Sequence, residues 1–226
     1  MKQLLVQNAK MKKSSQNGIT VVNWTLPAFQ SATGFKTCPN AGLCAAGCYA
    51  RSGTYRFKSS VASHEAKLAL TQSDTFVADM VVEIETWLKK KSVKHLKVRI
   101  HDAGDFYSIS YWNKWREIML LFQFETRVSF YAYTKQVEMF QNEIKQGRVP
   151  ASFRVIFSFG GKQDALIQTE TQYHARVFET LQDLEAAGYQ NGTDDDMVAA
   201  IGDSFKIGLC YHGAKSYQNT TWGRVA

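Results

Sequence analysis

Three times in succession a short run of alternating apolar residues gives way to a longer run of helical composition. That rhythm restricts the chain to very few architectures. "KHLKVRI", 94 to 100, sets Leu96, Val98 and Ile100 against Lys97 and Arg99, the period-two pattern of a strand. "SISYWNKWREIMLLFQF", 108 to 124, then predicts a helix with Ser108 or Ser110 as its cap. "RVSFYAYTK", 127 to 135, is a strand, and "QVEMFQNEIKQG", 136 to 147, a short helix closed by Gly147. "SFRVIFSFGGK", 152 to 162, is a strand that ends in a double glycine.

The same alternation extends both ways. "ITVVNWTLPAF", 19 to 29, is rich in β-branched residues and stops at Pro27, so it predicts a strand entering a loop. "SVASHEAKLALTQ", 60 to 72, and "SDTFVADMVVEIETWLKKK", 73 to 91, predict helices, the second capped by Ser73 or Asp74. Downstream, 168 to 189 predicts a helix ending at Gly188, "DMVAAIGD" a short element or strand, and "FKIGLCYHG" a last strand. Strands alternating with helices call for a parallel sheet with right-handed crossovers. The expectation is one α/β domain over residues 1–226. It would be a TIM-like barrel or partial barrel of about six strand–helix units, preferred over an open doubly wound sheet.

Cys38, Cys44 and Cys48 crowd into eleven positions, while Cys210 follows more than a hundred and fifty residues later. In a closed barrel the first and last strands are neighbours, and the loops after strands share one face. Four thiols distant in sequence would then meet there. The start of the chain lacks the apolar core of a secretory signal, and no apolar run approaches a membrane span. A cytoplasmic location follows, where clustered cysteines bind metal or react sooner than they pair. Structural zinc sites use closely spaced C-x2-C pairs, and this chain has C-x5-C-x3-C instead. Compact thiolate runs with a remote fourth suit a [4Fe–4S] cluster; zinc, a catalytic thiol and plain buried cysteines are the alternatives. Cys44 and Cys48 would face the same way on a helical turn, with the small Ala45, Ala46 and Gly47 leaving room for a cluster.

Composition narrows the class further. Hydrophobic residues make up 45% and the net charge is +7, which gives a real core and a mild bias toward anionic partners. Lys10, Lys12, Lys13 and the lysines between 89 and 97 read as solvated surface, and the "TDDD" at 193 to 196 as a polar turn or cap. Helix-turn-helix and finger signatures are missing, so a nucleic-acid partner has little support.

Three cysteines in a loop after the first strand of a partial barrel resemble the radical S-adenosylmethionine enzymes. Their C-x3-C-x2-C loop differs from the spacing here. "CPNAGLCAAGCYA", "VRIHDAGDFYS" and "FYAYTK", in that order, resemble a family of small proteins of tailed bacteriophages, gene product 88. That resemblance implies a phage-encoded iron–sulfur protein with a barrel-like fold, working in the host cytoplasm.

Around the proposed ligands Cys38, Cys44, Cys48 and Cys210, several polar side chains fall at strand ends. His101 with Asp102 or Asp105 would activate water, and Tyr133 or Lys135 would stabilise an oxyanion. Arg51, Ser158 and His212 are candidates for substrate binding, and Gly160 and Gly161 for presenting amides to a phosphate. His212 also competes with Cys210 as fourth ligand. The structural reading stands beside these: the aspartates cap a helix, His101 is a core residue, and Lys135 is surface. The expected activity is hydrolysis of a small, anionic ester or phosphoester. The rivals are a radical enzyme and a non-catalytic redox-sensing or nucleic-acid-binding module.

Overall fold

Strands β1 (Ile19–Trp24), β2 (His95–Ile100), β3 (Val128–Thr134) and β4 (Phe153–Ser158) pair in parallel and in chain order. In the computed structural model, which describes residues 3–211, they continue into β5 (His174–Phe178), β7 (Lys206–Cys210) and β6 (Gln190–Asn191). All six pairings are parallel, and the sheet curls into a half-barrel. Register keeps the strand ends level, with Trp24 opposite Ile100 and Ile100 opposite Ala132. The loops that follow the strands therefore share one edge, the place where α/β sheets bind ligands.

Alternation along each strand splits the core in two. Val22, Trp24, Val98, Ile100, Phe130 and Phe157 face the outer helices. These are α2 (Lys58–Gln72), α3 (Phe76–Leu88), α4 (Ile109–Leu121) and α5 (Val137–Lys145). Val21, Tyr131, Ile156, Ala175 and Ile207 face inward and pack with Met11, Ala199 and Ala200. Those three come from two short helices, α1 (Ala9–Ser14) and α7 (Met197–Ile201). Ser108 caps α4 by accepting from the Tyr111 amide, as its sequence predicts. At α3 the cap position is Thr75 rather than Ser73 or Asp74.

One expected element needs correction. The segment 168–189 is not one helix: it holds β5 and a short helix, α6 (Leu181–Ala186), capped by Thr180. Slots beside β4 and β7 let His174–Phe178 satisfy its backbone as a strand, which outweighs the helical composition around it. Among the described residues the sheet is the partial barrel of the two expected forms, with β1 and β6 at its edges, so the first and last strands do not become neighbours.

The gap is spanned from inside by an ionic clasp. Asp196 is fully buried; its carboxylate receives Arg99 Nη1 at 2.7 Å, the Tyr131 hydroxyl at 2.9 Å and Lys10 Nζ at 2.7 Å. Lys10 also donates to the Gly192 carbonyl, and the Asp196 amide donates to Ser14 Oγ. Lys10 is thus half-buried rather than the solvated residue that its charge run implies, and Asp196 stands at the cap position of α7 as expected but fully buried; Lys12 and Lys13 are exposed as expected. Burial by itself would raise the Asp196 carboxyl, but Arg99 and Lys10 outweigh it and hold its pKa below the usual carboxylate range.

Removing one partner from a buried ion pair strands the other charge and costs about 3–5 kcal/mol. Asp196→Asn is expected to lose stability of that order in denaturant melts. Because the folded pKa is depressed, the carboxylate's contribution is present above its unfolded pKa of about 3.9 and disappears as pH falls through the folded value. The gap between wild type and variant should therefore be full at neutral pH and narrow in acid.

Candidate functional site

The chain leaves β1 at Trp24 and does not form a regular element until α2, and this long loop carries three of the four cysteines. It is not slack. Thr37 Oγ1 donates to the Pro27 carbonyl at 2.6 Å, and the Cys38 amide donates to Phe29 O. The Asp105 amide donates to Thr37 O, which ties the loop to the end of β2. Farther along, the Gly42 and Cys44 amides both donate to the Gly160 carbonyl beyond β4, at 3.2 and 3.1 Å. An added Cβ on Gly42 would lie 2.9 Å from the Gly161 carbonyl, so this contact needs glycine. The double glycine is thus the seat of the cysteine loop. Its own amides donate to the Asp164 carboxylate at 2.7 and 2.8 Å, not to an open phosphate site.

Between the anchors the loop forms three short 3-10 turns, Leu43–Ala45, Tyr49–Arg51 and Gly53–Arg56. Cys44 lies in the first and Cys48 is extended (φ −63°, ψ 114°), so the two do not share one helical turn. Gly42 and Gly47 let the chain change direction around them.

Beneath the loop lies a cavity of about 740 Å³ lined by Cys38, Cys44, Cys48 and Cys210 together. All four are unpaired and half-buried. The three loop thiols are close enough to influence one another: burial, then the Asp105 charge, pushes Cys38 up to about 12, with a smaller push from Cys48. Burial also raises Cys48, against weaker pulls from Lys135 and Arg51, and Cys44 adds to the rise. Cys210 arrives differently. It ends β7, two strands beyond β4 in the sheet, with its amide on Thr193 Oγ1 at 2.8 Å. Among the described residues, no three Cys, His, Asp or Glu side chains are grouped to hold a single metal ion. The thiolates of a multinuclear iron–sulfur centre bind separate irons and stand farther apart than ligands sharing one ion, so the four cysteines are the donors such a centre would use.

The polar residues at the strand ends divide into occupied and open ones. His101 is buried in the left-handed region at φ 67°, with Nε2 2.9 Å from the Tyr111 hydroxyl. Burial and the Arg99 charge lower its pKa to about 3, so it stays neutral. Gly104, at φ 82°, keeps this turn tight against Leu26. Asp102 lines the cavity and accepts from Thr25, from Asn8 at 2.9 Å and from Tyr55 at 2.9 Å, while Tyr49 donates to its carbonyl. Asp105 accepts from Thr134, Phe106 and Lys135, which locks the end of β2 to that of β3; burial raises its pKa. Lys135 Nζ is spent on Ser158 and Phe159. The Tyr133 hydroxyl has no hydrogen-bond partner among the described residues.

Arg51 is exposed, donates to the Ala45 carbonyl and lies over the Phe29 ring, outside the cavity lining. His212 lies outside the described residues. Sequence reasoning missed Asn23, Tyr49, Tyr55 and Arg99 as lining residues. Arg99 had a signal, since strand parity places it with His101 and opposite Leu96, Val98 and Ile100.

A parallel half-barrel with a four-thiol cavity at the edge where its strands end defines the class. The chain belongs to the gene product 88 family, whose model matches residues 2–221. No curated protein and no solved structure matches it. Among the described residues no helix is long and apolar enough to cross a membrane.

The raised Cys38 pKa has a chemical consequence. In metal-free protein at pH 8, iodoacetamide should modify Cys38 on the order of a thousandfold more slowly than an unperturbed cysteine of pKa about 8.5. Peptide mass mapping over time measures this, and a rate like that of free cysteine contradicts it. Gly42→Ala should lower the melting temperature and hasten alkylation of Cys44, because the loop loses its seat on Gly160.

Proposed function

We propose that the cavity holds a [4Fe–4S] cluster ligated by Cys38, Cys44, Cys48 and Cys210, and that a small molecule binds beside it. The observation that carries this is the convergence of four free thiols on one cavity from opposite ends of the chain. Buried thiols with raised pKa values are poor company for one another as bare thiolates; bound iron supplies the compensating positive charge. With all four irons taken by thiolates, such a cluster would contribute electron transfer or a structural cross-link between the loop and β7. The thiols would be kept reduced in the cytoplasm of a host cell.

For this chain's own residues, the reading assigns definite tasks. The Gly160 carbonyl and the Thr37–Asp105 contact hold the trio in place. Thr193 fixes the backbone of Cys210. Tyr49 and Tyr55 close the side of the cavity by donating to Asp102.

A second reading has an observation of its own. The loop cysteines influence one another, whereas Cys210 comes from a strand two places along the sheet. A three-ligand cluster with its fourth iron open toward the cavity would be the arrangement of a radical enzyme. Hydrolysis of an ester or phosphoester is supported less well, since a neutral His101 with pKa about 3 is a weak base.

Protein purified anaerobically is expected to contain about four iron and four sulfide per chain. Cys38→Ala, Cys44→Ala and Cys48→Ala should each abolish loading, and Cys210→Ala should reduce it severalfold. Full loading of Cys210→Ala, together with reductive cleavage of S-adenosylmethionine, would favour the three-ligand reading. Colourless protein carrying zinc would end both. A panel of chromogenic esters and phosphoesters tests hydrolysis, which fails with no turnover that depends on His101 or on the cluster.

A further inference from the structure

Apart from Asp196 Oδ1, which Lys10 holds in an ion pair, six buried side-chain nitrogen or oxygen atoms lack a hydrogen-bond partner among the described residues. Four of these belong to residues that line the cysteine cavity: Asn23 Oδ1, Arg99 Nε, His101 Nδ1 and Tyr133 Oη. Buried polar groups are nearly always satisfied, and an orphan carries its full desolvation cost. Their concentration at one cavity points to a bound molecule that completes them.

The groups also specify what that molecule must offer. Arg99 is buried, and its Nη1 is committed to Asp196 at 2.7 Å, which fixes the guanidinium plane and the direction of Nε–H. The guanidinium lies 4.9 Å from the centre of the Tyr133 ring, so the two free donors belong to one small region. Arg99 and Lys10 both pair with Asp196, while the other nearby carboxylate, Asp102, already accepts from Thr25, Asn8 and Tyr55. Asn23 supplies the opposite polarity. Its Nδ2 donates to Thr25, whose hydroxyl donates to Asp102, so the chain of donors leaves Asn23 Oδ1 as a free acceptor.

We propose that the cavity floor is a recognition subsite for a small molecule carrying an oxyanion, a carboxylate or a phosphoryl group. Arg99 Nε and the Tyr133 hydroxyl donate to the oxyanion, and Asn23 Oδ1 accepts from an N–H or O–H on the same molecule. This deepens the small-molecule reading of the cavity and does not require the cluster. Arg99 thereby takes the substrate-binding task expected of Arg51, which lies outside the lining, and Tyr133 keeps the oxyanion task expected of it.

Tyr133→Phe tests the subsite because it deletes only the unpartnered hydroxyl. Acetate and inorganic phosphate serve as probes by calorimetric titration and thermal melting, with iron content measured in the same samples. Without either anion, the variant is expected to melt at or above the wild-type temperature. A tyrosine whose hydroxyl is already paired would lower it. Wild type should bind one anion in preference, which separates the carboxylate source from the phosphoryl source. Tyr133→Phe should weaken that binding roughly ten- to a hundredfold, the worth of one hydrogen bond to a charged group. A lowered melting temperature in Tyr133→Phe, no anion binding to wild type, or equal binding by both proteins overturns the proposal. Those outcomes leave the cluster reading intact when iron is present, and anion binding without iron would contradict the cluster alone.

Discussion

A single buried carboxylate holds the half-barrel together across its open side. Asp196 receives Arg99 and Tyr131 from two adjacent central strands and Lys10 from the N-terminal helix, so one side chain joins both ends of the chain to the middle of the sheet. A closed barrel would achieve this with backbone hydrogen bonds between first and last strands. Here the sheet stops short, and α1 with Met11 fills the interior instead. The cost of burying three charges is offset by close pairing; the same arrangement fixes Arg99 at the base of the cavity with one donor still free. The residues that hold the sheet together are therefore the ones on which the proposed anion subsite depends.

The cysteine loop shows how a partial barrel brings remote residues together without closing. Instead of waiting for the last strand to meet the first, the loop travels across the strand ends, fastened to β2 through Thr37 and Asp105 and to the end of β4 through Gly160. Cys210 needs only to end β7 on the far rim. Glycine at 42 and 161 permits the close backbone approach at the far anchor. The four thiols, Arg99 with its unpartnered Nε, and the hydroxyls of Tyr49 and Tyr55 line one chamber, in which the proposed cluster and the proposed anion would lie side by side.

Much of this was legible in the residues, for physical reasons. Period-two runs such as Leu96–Val98–Ile100 mark strands because burial on one face forces alternation. The helices between them carried recognisable caps, as at Ser108. His174–Phe178 was not legible, because its identity as a strand comes from the neighbours that pair with it, not from its own composition. Lys10 misled in the same way: it sits in a run of lysines that looks solvated, and only the folded sheet pairs it with Asp196, whose place as a cap was legible but whose full burial was not. At the site, the thiols and the strand-end motifs stood out by residue type. Which polar atoms remain free did not, since Asp105, Lys135 and Ser158 are committed to partners that only tertiary structure reveals.

The central claim is that one metal centre draws on cysteines from both ends of the chain. Crystals grown without oxygen, with diffraction recorded on either side of the iron absorption edge, test it most directly. The account predicts anomalous iron density in the cavity in contact with Cys38, Cys44, Cys48 and Cys210. Iron bound elsewhere, or a cavity whose thiols hold no iron in protein prepared this way, would contradict it.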